Sequence, residues 1–344
     1  MKLLIITQAV DKNHSALGFF HRWVEEFAKN CEQVQVIALE VGEYNFPNNV
    51  TVHSLGKDSG GGKISYLINF YKLIWQLRKQ YDSVFVHMNQ IYVILGAPLW
   101  KLFNKKVGFW YVHKQVTLSL RMATVLVNKI FTSSPESFQI RTNKVEYIGH
   151  GIDFAFYKTK QKERDENKFN ISHFGRITEI KNINTLIKAV SLTRNRDKIV
   201  INLYGEPNTP ADSIYQKDLV LLKDKLNLPV NFCGAVTSSQ IPELLSSTDI
   251  SINLTPTGGW DKVVLEAIAS KTPVLTSNQA FANLFGRYRK SLIFEFNDEN
   301  ELANKIDEQI SISSLEKNEQ IETIYKKSSA YDLKNLIPRL IDFS

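Results

Sequence analysis

Thr255–Ser277, TPTGGWDKVVLEAIASKTPVLTS, is the stretch whose reading decides the fold. Pro256 and the pair Gly258-Gly259 open it as a loop held where side chains would obstruct. Val263, Val264, Ala267 and Ile268 then recur at helical spacing, with Glu266 the one carboxylate inside that apolar pattern. Lys271-Thr272-Pro273 ends the helix, and Pro273-Val274-Leu275 begins a short apolar strand. Upstream, Asp249–Leu254 reads as another strand. Strand, glycine loop and helix N-terminus together form an anion site, because unpaired N–H groups and the helix dipole converge on one point. The same residues also suit an ordinary strand-to-helix turn, and Glu266 an exposed helical position.

Working outward, the segment 169–341 alternates strands and helices. Phe169–Phe174 is a strand, and Gly175-Arg176-Ile177-Thr178-Glu179-Ile180-Lys181-Asn182 follows at its carboxyl end, before a helix over about 184–192. Arg176 and Lys181, flanking one turn beside a helix start, suit a diphosphate: a fork for its oxygens and a point charge. They equally suit two solvated surface cations. Ile199–Tyr204 ends in Gly205-Glu206, a helix spans 213–226, and Val230–Val236 is a strand and turn. A short helix covers 241–245. Beyond Ser277 the pattern predicts a helix near Ala280, a strand over 291–294, a helix over 300–310 and a terminal helix over 332–341.

The first half has the same grammar. Residues 2–8 read as a strand rather than a secretion signal, because the apolar run stops at Thr7-Gln8. A polar loop through His14 and Ser15 leads to an amphipathic helix over 17–30, and strands follow at 33–39 and 50–55. That βαβ opening argues for a parallel, doubly wound sheet. Lys57–Lys63, KDSGGGK, is not a phosphate loop, since Lys57 and Ile64 stand where glycine and Ser or Thr are required. The helix over 64–80 combines Tyr66, Leu67, Phe70, Tyr71, Ile74, Trp75 and Leu77 with Lys63, Lys72, Arg78 and Lys79. Core packing accounts for its apolar face, and a membrane surface is the second reading. A strand over 83–87 and a helix over 91–103 precede the strand 106–113, which carries His113 at the carboxyl end where ligands of such sheets sit, a position that equally suits a structural histidine. KIFTSSPE over 129–136 follows, and a strand over 145–148 is the last of this half. Gly149-His150-Gly151-Ile152-Asp153 suits a hinge, and the charged run 158–168 an exposed connection.

Length favours two domains: 344 residues, 43% hydrophobic. Residues 1–150 hold 17 Lys and Arg against 10 Asp and Glu, whereas 151–344 hold 25 of each. The positive excess therefore belongs to the first half and suits an anionic membrane surface or a polyanionic acceptor. No nucleic-acid motif accompanies it. No apolar run approaches the length of a membrane span. Cys31 and Cys233 lie far apart, outside any metal spacing, and read as reduced, buried thiols of a cytoplasmic protein.

With these residues in place, the chain resembles glycosyltransferase family 4. The donor-site signature E-G-[FW]-G-x4-E-A-x-A-x-G-x-P-V is met at Gly259, Trp260, Glu266, Ala267, Ala269, Pro273 and Val274. It departs at Gly258, Asp261 and Lys271, where the signature has its first glutamate, second glycine and third glycine. GRITEIKNINTLIKA resembles the family's G-R-x4-K-G-x3-L-[IL]-x-A, with Asn182 in place of a glycine. Phe232–Val236 is similar to its F-x-G-x-V, and Leu17-Gly18-Phe19 retains one glycine of its first-loop pair.

The resemblance implies the GT-B fold, α/β with two Rossmann-like doubly wound domains facing across a cleft. The boundaries expected are 1–150 on the acceptor side, joined by the C-terminal helix 330–344, and 151–329 on the donor side. It implies transfer from a nucleotide-sugar, UDP-sugar first and GDP-sugar next, to a glycan, lipid-linked or other hydroxyl acceptor. Transfer would proceed with retention, without metal and without cofactor, the nucleotide-sugar being a co-substrate. The enzyme so implied would be a hexosyltransferase of class EC 2.4, cytoplasmic or peripheral on the membrane. His113 would orient the sugar, Arg176 and Lys181 the diphosphate, and Glu266 the ribose. Gly18, Gly175, Gly205, Val236, Gly258, Gly259, Trp260, Asp261, Lys262 and Val263 would complete the donor pocket, with Asp261 a replacement for the lost sugar-binding carboxylate. The alternative is a nucleotide-sugar-binding pseudoenzyme or lectin-like module. A nicotinamide enzyme lacks its G-x-G-x-x-G after the first strand.

Overall fold

The computed structural model describes residues 1–14, 17–159 and 167–342. Ser15 and most of the charged run 158–168 lie outside the described residues, as do residues 343–344 at the end of the expected C-terminal segment 330–344. The chain divides into two compact units, Met1–Gly151 with Tyr331–Ser344, and Ile152–Ala330.

In the first unit β1 (Lys2–Val10), α1 (Phe20–Asn30), β2 (Gln33–Val41) and β3 (Val50–Ser54) form the opening βαβ and its neighbour strand. They are followed by α2 (Lys63–Gln76), β4 (Ser83–His87), α3 (Gln90–Leu102), β5 (Lys106–Trp110), α4 (Leu118–Leu126), β6 (Lys129–Thr132) and β7 (Val145–Tyr147). The seven strands are parallel in the order β3-β2-β1-β4-β5-β6-β7. Consecutive apolar residues of β1 bury opposite faces. Leu3 and Ile5 join a layer with Phe20, Trp23, Val24 and Phe27 of α1, whereas Leu4 and Ile6 join Phe70 and Ile74 of α2, Val93 and Trp100 of α3, and Leu120 and Ala123 of α4. α2, α3 and α4 thus form one layer on one face of the sheet.

The second unit begins with α5 (Phe154–Tyr157) and continues β8 (Phe169–Phe174), α6 (Ile183–Leu192), β9 (Ile199–Tyr204), α7 (Pro210–Leu226), β10 (Val230–Gly234), α8 (Ile241–Ser246), β11 (Ile250–Asn253), α9 (Lys262–Ala269) and β12 (Val274–Thr276). Its sheet is parallel, ordered β10-β9-β8-β11-β12. The order reverses about β8, so the carboxyl ends of β8 and β11 flank the switch point where such sheets take ligands. α10 (Ala282–Phe285), α11 (Arg289–Leu292), α12 (Glu299–Ser311) and α13 (Ser314–Ser328) follow; α12 packs on α6 and α13 on α9. Finally α14 (Leu333–Leu340) belongs to the first unit and packs on α1.

Several expectations are corrected. Residues 291–294 are not a strand: α11 runs to Leu292, and only Ile293 bridges to Thr276. A three-residue apolar run, Leu292-Ile293-Phe294, does not distinguish buried helix from buried strand. α2 stops at Gln76, four residues early. β5 ends at Trp110, leaving His113 three residues beyond it. Cys31 is buried but Cys233 is exposed, because β10 is the edge strand and the face carrying Asn231 and Cys233 is uncovered.

Candidate active site

The carboxyl ends of β8, β9 and β10 are tied together by backbone. Gly175 N–H donates to Tyr204 O at 2.9 Å, and Gly205 N–H donates to Gly234 O at 2.8 Å. Gly205 has φ +153°, and a Cβ there would lie 1.9 Å from Gly175 O, so this approach admits only glycine. The turn after Gly175 ends in a left-handed Asn182 with φ 50°, the position where the family signature has glycine. Asn182 tolerates that backbone, and its side-chain oxygen accepts from Thr185 Oγ1 at 3.0 Å.

This turn delivers Lys181 to the start of α9. Its ammonium lies 3.7 Å from the carboxylate of Asp261, the residue preceding the helix, with both side chains about a fifth exposed. Arg176 sits in the same turn with its side chain exposed. One and a half turns into α9, Glu266 is 1% exposed, and neither carboxylate oxygen has a hydrogen-bond partner. Lys262 Nζ approaches it at 3.5 Å. The exposed-helix reading of Glu266 is thereby excluded. A buried carboxylate with empty acceptor positions carries a desolvation cost that hydroxyl donors would offset.

The glycine loop is held by a polar network invisible to pattern reading. Asn278 is fully buried; its Oδ1 accepts from Gly258 N–H at 3.3 Å and Ala280 N–H at 3.0 Å. Its Nδ2 donates to Gly259 O at 2.9 Å and Asp261 Oδ2 at 3.1 Å. Thr255 Oγ1 donates to Asp261 Oδ2 at 2.7 Å and lies 2.9 Å from Asn253 Oδ1. Two amides of the expected cradle are therefore engaged within the protein: Gly258 to Asn278, and Val264 to Asp261 O at 3.2 Å. Trp260 packs on Phe281 with ring centroids 5.1 Å apart. Lys262 and Val263 form the first turn of α9, whose N–H groups lack helical partners by geometry.

His173, the penultimate residue of β8, stands outside the expected set. Its Nδ1 lies 3.0 Å from Ile252 O, while Nε2 is buried without a partner, beside Gly175 and Lys181. Burial above all holds its imidazole down to about 4, with the Lys181 charge acting the same way. It therefore stays neutral, and the hydrogen bond to a carbonyl makes Nδ1 the protonated nitrogen, leaving an acceptor at Nε2. The sequence shows only a histidine inside FNISHF, and nothing there reveals the unpartnered nitrogen.

The remaining expected residues stand elsewhere. Val236 lies two residues past β10, next to Ala235, whose N–H donates to Glu206 Oε1 at 3.2 Å. Gly18 and His113 are in the first unit. Gly18 N–H donates to His14 O at 2.9 Å, and a Cβ on it would meet the carbonyls of Lys12 and His14 at 2.8 Å. That glycine is required by its own loop. His113 is exposed, its Nδ1 accepting from Gln115 N–H at 3.2 Å.

Comparison with known proteins identifies the family and the fold. Residues 156–328, half of the chain, match the model of the family described as glycosyl transferases group 1. No curated protein matches. Among solved structures, Anabaena Alr3699/HepE in complex with UDP and glucose is 18% identical, with a TM-score of 0.76 over 98% of each chain. A glycosyltransferase from Rickettsia africae is 16% identical, with a TM-score of 0.75 over 98% of this chain and 96% of that one. The sucrose-phosphate synthase of Thermosynechococcus elongatus is 13% identical, with a TM-score of 0.77 over 98% and 97%. These likenesses establish the GT-B fold, two Rossmann-like units with parallel sheets of seven and five strands. With the family's model matched across half its length, the chain belongs to the group 1 glycosyl transferases and is a glycosyltransferase.

Proposed function

We propose that the protein transfers a hexose from a UDP-sugar, with GDP-sugar the next choice, to a hydroxyl of a glycan or lipid-linked acceptor. The donor is held by the second unit. One observation carries this: Lys181 reaches the mouth of α9 while Glu266, farther along the helix, is buried with both oxygens open to donors. The spacing of a cation at a helix N-terminus and a carboxylate one and a half turns inward matches a diphosphate joined to a ribose. The UDP and UDP-glucose complexes of Anabaena HepE lend support to the nucleotide assigned here.

In this reading the bond between the anomeric carbon and the terminal phosphate oxygen breaks, and the diphosphate gains negative charge. Lys181, Arg176 and the first-turn amides of α9 face that charge, the task a divalent ion performs in other transferases. The acceptor oxygen bonds to the anomeric carbon on the face the diphosphate leaves, and its proton passes to the departing phosphate oxygen. Configuration is retained and no separate base is needed. His113 orients the sugar, and the acceptor is taken by the first unit, whose basic excess suits an anionic surface.

Titration of UDP, GDP and uridine into the wild type and Lys181→Ala tests the assignment. Removing Lys181 is expected to weaken UDP by about 10- to 100-fold, as loss of a charge-assisted contact does, and to leave uridine within about twofold. Equal weakening of both ligands would overturn it. Acceptor-dependent release of UDP that survives EDTA is expected for the metal-independent reaction.

A further inference from the structure

The layer formed by α2, α3 and α4 has two apolar faces. The inner one packs on the sheet. The outer one repeats the same spacing on each helix: Ile64, Ile68, Tyr71 and Trp75 on α2; Ile91, Leu95, Pro98 and Leu102 on α3; Leu118, Met122 and Val125 on α4. Ile68 is 61% exposed, Leu118 76% and Trp75 49%. The helices adjoin: Tyr71 Oη donates to Leu95 O at 3.1 Å, Trp75 packs on Phe103 at 5.6 Å, and Gln90 Nε2 donates to Ser119 Oγ at 3.2 Å. Scattered surface apolar residues need no explanation, but three neighbouring helices with matching outward stripes do.

Charge says what covers them. Residues 59–135, which include all three helices, contain ten Lys and Arg and a single acidic residue, Asp82. Each stripe has an exposed cation one turn away, Lys72 on α2, Lys101 on α3 and Arg121 on α4. Arg78 lies over the Trp75 ring at 4.6 Å, an aromatic and a cation side by side at the edge of the stripe. Two copies of so basic a face would repel one another. Apolar side chains framed by cations suit an anionic bilayer, whose headgroups meet the charges while the stripes enter the acyl boundary.

We propose that the outer face of α2, α3 and α4 is a docking surface for an anionic membrane, on which the first unit lies without spanning it. The docking stands on these residues alone. Only its consequence rests on the glycosyltransferase reading: the acceptor is then a lipid-linked hydroxyl compound presented in the plane of that membrane.

Sedimentation of the full chain with vesicles of phosphatidylcholine, with and without about a third phosphatidylglycerol, tests it. Binding is expected with the anionic vesicles only, and to fall as salt rises. Lys72→Gln and Arg121→Gln are each expected to weaken it about fivefold. Trp75 is the most exposed of the five tryptophans, so its emission should shift to the blue on binding, and Trp75→Phe should remove that shift while vesicle binding persists. Ile68→Asp with Leu118→Asp should abolish binding and leave the affinity for UDP unchanged. Failure to bind anionic vesicles at low salt would overturn the proposal. So would concentration-dependent self-association abolished by the same Asp pair, which would assign the face to a second copy. UDP titration separates the two readings: vesicle binding without nucleotide binding refutes the donor site alone, and nucleotide binding without vesicle binding refutes the docking surface alone.

Discussion

Asp261 stands between two demands. At the entrance to α9 its carboxylate complements the helix dipole, an arrangement worth about 0.3–1 kcal/mol, and it neutralises Lys181 at 3.7 Å. A diphosphate placed there meets the same dipole and the same ammonium, so protein carboxylate and ligand compete. Asp261→Asn removes the competing charge and keeps an oxygen for Thr255. UDP is therefore expected to bind about two- to fivefold tighter, at a cost of about 0.3–1 kcal/mol in the unliganded protein. If Asp261 also contacts the donor sugar, turnover of the UDP-sugar falls while UDP binding rises; weaker UDP binding would refute the competition. Glu266 gives the opposite split. Because its oxygens accept no hydrogen bond in the unliganded protein and only Lys262 Nζ stands near at 3.5 Å, Glu266→Gln should change Tm little. The Tm gain on adding uridine or UDP should shrink, corresponding to about 1.5–3 kcal/mol of lost hydrogen bonding to a charged group. An undiminished ligand shift would remove Glu266 from the site. These residues were legible in the sequence because a carboxylate inside an apolar helix and two cations across one turn are unusual. His173 and Asn278 were not, because what makes them notable is an orphaned nitrogen or a four-bonded amide, which only packing creates.

Strands such as β1 and β4 were the most legible elements, since buried parallel strands appear as near-continuous apolar runs, here LLII and VFV. The helices α4 and α13 were missed for opposite reasons. SLEKNEQIETIYKKS of α13 is polar on nearly all sides, burying Gln320, Ile324 and Ser328 rather than an apolar stripe. LSLRMATVL of α4 is apolar on nearly all sides, so no period stands out. Junctions between elements add their own chemistry. At the carboxyl end of β4, His87 stacks on Phe20 of α1 at 3.9 Å, and its Nδ1 lies 3.2 Å from Thr7 Oγ1 of β1. Burial, and secondarily His150 nearby, push its imidazole down to about 3. In the unfolded chain it titrates near 6.5, so the unfolded state binds the extra proton first. The stability His87 contributes is complete above pH 6.5 and is lost progressively as pH falls from there towards 3. At pH 5 the loss is about 2 kcal/mol from this residue. Denaturant unfolding of the first unit across this range should show that slope, and His87→Gln should flatten it. An unchanged slope would mean that His87 is not the titrating group.

At the scale of the molecule, the two units make different demands on the last residues of the chain. α14 lies outside the residue range of the first unit's sheet yet inside its core: Leu333 is 3% exposed, and Leu336, Ile337 and Leu340 are fully buried in the layer with Trp23 and Phe27. The fit is close enough to restrict the backbone opposite. A Cβ on Gly149 would lie 2.1 Å from the Tyr331 ring, and one on Gly151 would lie 2.5 Å from Leu333. Arg339 adds a contact to Glu146 at 2.9 Å. Four buried aliphatic side chains at about 1.5–3 kcal/mol each amount to about 6–12 kcal/mol, an upper figure because unfolded chains already bury some surface. Whole domains are stable by only about 5–15 kcal/mol, so the first unit cannot dispense with this helix. Removal of residues 331–344 should therefore abolish the calorimetric transition of the first unit and its binding to anionic vesicles. The second unit contains β8, α9, Arg176, Lys181 and Glu266, so its own transition should persist. It should still rise with UDP, by about 2.7 kcal/mol at a hundredfold excess over Kd. Loss of both transitions together would show that the second unit does not fold independently of the first. Persistence of both would show that α14 is dispensable to the core it enters.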